Sequence, residues 1–176
     1  MKRTTLAALA VLATGLGAAF AAGFGFDDRG ATDNTLRSLI RDEVIAHARA
    51  LFDRADLDRN SSLDVDEYAS LAVIEAELAR LNGYVAFETP TGPRRVAIDV
   101  DAPSSLGRGE RTLIDAVARS AFYVASGGEE ALTKTQFLAE RDAAFAQSDR
   151  NNDGALAKSE LSAFAARDAG VYRADA

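Results

Sequence analysis

The stretch Asp149-Arg150-Asn151-Asn152-Asp153-Gly154-Ala155-Leu156-Ala157-Lys158-Ser159-Glu160 decides how this chain is read. Side chains bearing oxygen fall at its positions 1, 3 and 5 (Asp149, Asn151 and Asp153), with glycine at 6, leucine at 8 and glutamate at 12. A hard cation such as calcium needs about six to eight oxygens at about 2.3–2.6 Å, and this spacing delivers them in one turn of chain. Gly154 permits the sharp bend. Ala155 offers its carbonyl, Leu156 is placed to enter a core, and Glu160 closes the sphere from the following helix with two oxygens. Phe145 lies four residues before the loop and Phe164 four after Glu160, so both are expected to pack the flanking helices.

A second stretch repeats the pattern. Asp56, Asp58, Asn60, Ser62, Asp64 and Glu67 stand at positions 1, 3, 5, 7, 9 and 12 of residues 56–67, with Leu63 at position 8 and Phe52 four residues ahead. Asp64 can hold a bridging water or cap the next helix. Ser61 replaces glycine at position 6, where a positive φ costs a side chain about 1 kcal/mol. Two further segments keep the spacing and lose the chemistry. Residues 99–110 offer Asp99, Asp101 and Glu110 as weak ligands but carry Pro103 at position 5. Residues 125–136 have no acid at positions 1 or 3. Their Thr133 and Gln136 form a capping box. This degenerate loop is expected to bind nothing and to pair with residues 149–160.

Residues 149–160 and 56–67 resemble EF-hand calcium loops, and with their helices they cover about half of the chain beyond its leader. The degenerate loop and the good one begin 24 residues apart, leaving room for one helix between them. That close spacing is similar to the lanmodulins, small periplasmic EF-hand proteins that bind lanthanides. The resemblance implies paired helices that tighten on a metal ion. Lanmodulin-like loops carry proline at position 2 and an acid at 9. Here position 2 is Leu57 or Arg150, and position 9 is Asp64 in one loop but Ala157 in the other. Calcium is therefore the expected ion, with a lanthanide as the alternative.

The rest of the chain sets the context. Residues 1–21 combine Lys2 and Arg3 with an apolar run over 6–20 and a small-residue cleavage motif ending at Ala21, the pattern of a signal peptide. The expected location is the periplasm or outside the cell, with no membrane partner once the leader is removed. Its loss leaves 18 basic against 27 acidic side chains, a net charge of −9. No basic stripe is present to recruit nucleic acid. Cysteine is absent, so stability comes from the core or a bound ion rather than from disulfides.

Residues 22–32 read as a flexible lead-in, 33–170 as a mainly α domain of EF-hand helix-loop-helix units, and 171–176 as a tail. The hands centre on 36–81 and 137–168. Apolar residues from Leu36 through Leu39, Ile40 and Val44 to Phe52 recur at helical spacing, so a helix is expected from the start of that domain. Two runs of strand formers within 84–100 flank a Pro- and Gly-rich turn, which predicts a short hairpin or an irregular insertion. His47, the sole histidine, is expected half exposed on the first helix.

These residues point to ion binding of a structural or buffering kind. A sensor or adaptor with an unidentified protein partner is the alternative. It is disfavoured because no methionine remains beyond Met1 to build an adaptable groove. An enzyme is not expected, and no residue is assigned a catalytic role: the acid pairs are accounted for as ligands, and His47 has no partner in a recognisable motif.

Overall fold

A computed structural model describes residues 34–100 and 102–170. The expected leader, lead-in and tail, and Asp101, lie outside the described residues. The described chain is mainly α-helical, with small β elements. In order it forms β1 (Ser38–Ile40), α1 (Arg41–Ala55), β2 (Ser62–Leu63), α2 (Val65–Asn82), β3 (Tyr84–Thr89), β4 (Gly92–Ala97), α3 (Arg108–Ser126), β5 (Leu132–Thr133), α4 (Lys134–Ser148), β6 (Ala155–Ala157) and α5 (Lys158–Asp168).

The first helix starts later than its periodicity suggests. Ser38–Ile40 form a strand, Leu36 lies ahead of it outside any helix, and Arg41 opens α1. Leu39 is fully buried in β1, where alternation rather than helical spacing sets its direction. Glu43 accepts the N–H of Ile40 and so marks the helix start. Gly83 ends α2 and Gly127 ends α3, both in the left-handed conformation that a side chain resists (φ 70° and 74°).

Three two-stranded antiparallel sheets tie the helices together. β3 and β4 form the expected hairpin, with Val85 opposite Val96 and Thr89 opposite Gly92. Backbone bonds from Leu36 to Arg95 and from Arg95 to Asn34 fasten the start of the described chain to this hairpin. The other two sheets are non-local. β1 pairs with β6, placing Leu39 against Leu156. β2 pairs with β5, placing Leu63 against Leu132. The degenerate loop at 125–136 therefore pairs with residues 56–67. The expected pairing with 149–160 is replaced by β1.

The segment β1–α1–β2–α2 is thus answered by β5–α4–β6–α5, and α1 packs along α4. Helices α1 and α4 are each 15 residues long, so neither can fold its two flanking loops back onto each other. Each loop instead meets one from the other half. The core follows the same division. Leu39, Leu156, Phe145, Phe164 and Phe87 gather under the hairpin. Leu63, Leu132, Phe52, Phe137 and Phe122 gather at the other pairing. Burying each such side chain stabilises by about 1.5–3 kcal/mol.

Candidate metal centre

Residues 56–67 leave the C-terminus of α1, pass through β2 and enter α2. Among the described residues, one group of three acids converges: ligand atoms of Asp56, Asp58 and Glu67 all lie within 4.8 Å of one another. Asp56 and Glu67 are half-buried and Asp58 is exposed. Three hard oxygens meeting at the mouth of a loop can coordinate a metal ion.

Backbone N–H groups hold these oxygens in place. The two oxygens of Asp56 accept from Asn60 N and Ser61 N, each at 3.0 Å. Asp58 Oδ1 accepts from Asn60 N at 3.0 Å. Asn60 Oδ1 accepts from Ser62 N at 2.8 Å and from the Ser62 hydroxyl at 2.6 Å. Glu67 reaches back over the loop: Oε1 accepts from Leu57 N at 2.8 Å and Oε2 from Asp64 N at 3.1 Å. Ser61 takes the strained position-6 conformation, with φ 69°. Asp64 is engaged as a helix cap, accepting from Asp66 N and Glu67 N at 2.8 Å each.

Residues 149–160 repeat this wiring between α4 and α5. Asp149, mostly buried, accepts from Asp153 N and Gly154 N. Asn151 Oδ1 accepts from Asp153 N, and Asp153 Oδ1 accepts from Ala155 N. Glu160 Oε1 accepts from Arg150 N at 3.1 Å. Gly154 occupies position 6 at φ 82° and Asn152 position 4 at φ 56°, matching Ser61 and Arg59. The positions of Asp56, Asp58 and Glu67 are filled here by Asp149, Asn151 and Glu160. An amide replaces the carboxylate at position 3, and at position 5 the exchange is reversed, Asp153 standing where the other loop has Asn60, so positions 1, 3, 5 and 12 carry three acids in each loop. Ala157 offers no cap oxygen to α5, and Lys158 begins that helix at φ 49°.

The weak candidates have other work. Glu110 accepts the Gly107 N–H at 2.7 Å and pairs with Arg80 at 3.4 Å, so it caps α3. Asp99 joins no group of three acids among the described residues. Gln136 accepts from Thr133 N at 2.9 Å, and Ser126 O accepts from its amide nitrogen at 3.2 Å. It closes a loop that has no acid at positions 1 or 3.

One relative of the loops was missed in the sequence. Leu39 and Glu43 stand 24 residues before Leu63 and Glu67, at the same positions 8 and 12. The bond from Ile40 N to Glu43 repeats that from Asp64 N to Glu67. The repeat distance of 24 was the available signal, hidden because Leu36, Leu39 and Ile40 also fit a helical stripe.

A separate polar cluster lies inside the helices. His47 is buried, not half exposed. Its Nδ1 accepts from Glu88 N at 3.2 Å, its ring lies 5.0 Å from Phe87, and its Nε2 is buried without a partner. Burial pushes it down to about 4; Arg54 and Arg141 act in the same sense, and Asp168 and Glu88 oppose them. Burial likewise pushes Glu75 up to about 7, and the negative charge of Asp168 adds to the rise. Glu75 lines a cavity of about 110 Å³ with Tyr68, Glu140, Arg141 and Asp168. Arg141 is paired there with Asp168, and the Tyr68 hydroxyl donates to Glu140 at 3.1 Å.

No helix among the described residues is long and apolar enough to cross a membrane. No protein-family model matches the chain, and no curated protein or solved structure matches it.

Proposed function

We propose that this protein binds calcium through two EF-hand loops, residues 56–67 and 149–160, in an exported chain. The observation that carries this reading is the shared wiring of the two loops. Positions 1, 3, 5 and 12 accept backbone N–H groups in the same order in both, and in one the three acids converge within 4.8 Å. Such wiring holds side-chain oxygens where an ion can collect them. Calcium is favoured because its coordination sphere is larger and more flexible than that of magnesium, which suits a loop closed by a glutamate. A trivalent lanthanide shares the preference for oxygen and is the second ion to consider.

The role assigned is structural or buffering: the ion would draw α1 to α2 and α4 to α5, contributing folding energy. Binding rather than catalysis is assigned because the converging acids serve as one donor set. Export by the leader would place the protein in the periplasm or outside the cell.

Calorimetric titration of chelator-stripped protein with calcium, magnesium and a lanthanide tests this. Two calcium sites are expected, with magnesium weaker. Glu67→Gln and Glu160→Gln should each remove one site. Unchanged stoichiometry in both variants would overturn the ligand assignment.

A further inference from the structure

The two candidate loops are alike in their ligand positions and unlike in their charge. The other positions of residues 56–67 add Asp64 and Asp66, so five acids and Arg59 leave −4. Residues 149–160 add Arg150 and Lys158, so three acids and two cations leave −1. On charge alone the first loop attracts a cation more strongly than the second.

The fold sets two cations against that excess. Arg119 of α3 reaches Asp115 on its own helix at 2.9 Å and Asp66 at 2.7 Å. Asp66 is position 11 of the loop and adjoins Glu67. Lys134, the first residue of α4, pairs at 2.6 Å with Asp53, which lies in α1 three residues before Asp56. The β2–β5 pairing brings Lys134 there, since Leu132 and Thr133 lie opposite Leu63 and Ser62. The loop without a ligand set thus delivers a cation to the loop it pairs with.

The second site is arranged differently. Its position 11 is Ser159, and Ala146 stands three residues before Asp149, so neither place offers an acid. Arg41 follows β1 as Lys134 follows β5, but its partner is Asp142, seven residues before Asp149.

The side chains of Arg119, Asp66, Lys134 and Asp53 are all more than a third exposed, so their pairs add little stability. Their charges reach further. In dilute buffer an exposed charge acts on an ion over about 10 Å or more.

We propose that Arg119 and Lys134 set the cation selectivity of residues 56–67: they lower its affinity for cations, and lower it more for a trivalent ion than for calcium. Their role rests on the assignment of that loop as a metal site. Coulomb energy scales with the charge of the ion, so a fixed positive charge penalises a trivalent ion more than a divalent one.

Calorimetric titration of the Glu160→Gln protein with calcium and with lanthanum, at low ionic strength, isolates this loop. Added to that background, Arg119→Gln and Lys134→Gln should each tighten calcium binding roughly threefold and lanthanum binding roughly fivefold. Arg119→Lys keeps the charge and should keep the parental affinity for both ions. The gains should shrink toward nothing in about 0.5 M potassium chloride, where screening acts over a few ångströms. A purely structural role would instead weaken the binding of both ions, without regard to salt or ion charge. Unchanged or weakened binding in both Gln variants, or equal gains for the two ions, would overturn the proposal. A Glu160→Gln protein that binds neither ion would overturn the assignment of the loop itself, and the proposal with it.

Discussion

Leu39 of β1 lies directly opposite Leu156 of β6, and both are fully buried. This contact fastens the start of α1 to the loop at 149–160, while the end of α1 leads into Asp56. Helix α4 mirrors it, starting beside the Leu63–Leu132 contact and ending at Asp149. Each candidate loop is therefore joined to the other half at its eighth residue. Leu39→Ala should cost about 3 kcal/mol in urea unfolding without metal. It should also weaken binding at residues 149–160, although Leu39 supplies no ligand. A variant with parental affinity at that site would show that the strand pairing does not shape the loop.

Ser61 holds φ 69° where the companion loop has Gly154 at 82°. Ser61→Gly should relieve about 1 kcal/mol of backbone strain. The change should appear as tighter ion binding at residues 56–67 or as a higher denaturation midpoint without metal. Gly154→Ser should do the reverse at the other loop. Equal stability of all three proteins would mean the strain is absorbed elsewhere.

Asp64 separates capping from ligation. Its carboxylate caps α2 through Asp66 N and Glu67 N. Asp64→Ala should therefore destabilise the chelator-stripped protein by about 1 kcal/mol. A ligand role alone would leave the metal-free protein unaffected, so thermal unfolding in chelator distinguishes the two.

His47 and Glu75 oppose each other in acid. The folded His47 is held down at about 4, so the unfolded chain takes up its proton first; stability is lost as pH falls below the ordinary histidine value toward 4. The folded Glu75 is raised to about 7, so the folded chain takes up its proton first; stability is gained as pH falls from 7 toward the ordinary carboxylate value. Each effect is on the order of 3 kcal/mol, and they largely cancel between about pH 6.5 and 4.5. Relative to the parent, Glu75→Gln should lose stability with acid across that window, and His47→Phe should gain it. Urea midpoints in chelator at several pH values measure both. Parallel profiles for all three proteins would sink the assignment.

Much of the loops was legible in the sequence because a loop is local. Asp56, Asp58, Asn60 and Glu67 lie within twelve residues, and the bend that gathers their oxygens is made by the backbone between them. The same holds for the cap at Thr133, the stop at Gly83 and the hairpin around Pro90. His47 was misjudged because its exposure depends on Phe87 and Glu88, which arrive from a strand 40 residues away.

The start of α1 failed for a related reason. Leu39 and Ile40 satisfy both a helical stripe and a strand, and β6 selects the strand by offering Leu156 and a row of backbone partners, while Leu36 is held by Arg95 of the hairpin. Sequence alone therefore determined that Asp56, Asp58 and Glu67 come together, since one short loop carries all three. The tertiary structure decided which loop supports which. A helix of 15 residues separates neighbouring loops too far for them to pair, and burial of Leu39, Leu63, Leu132 and Leu156 is reached only by crossing between the halves.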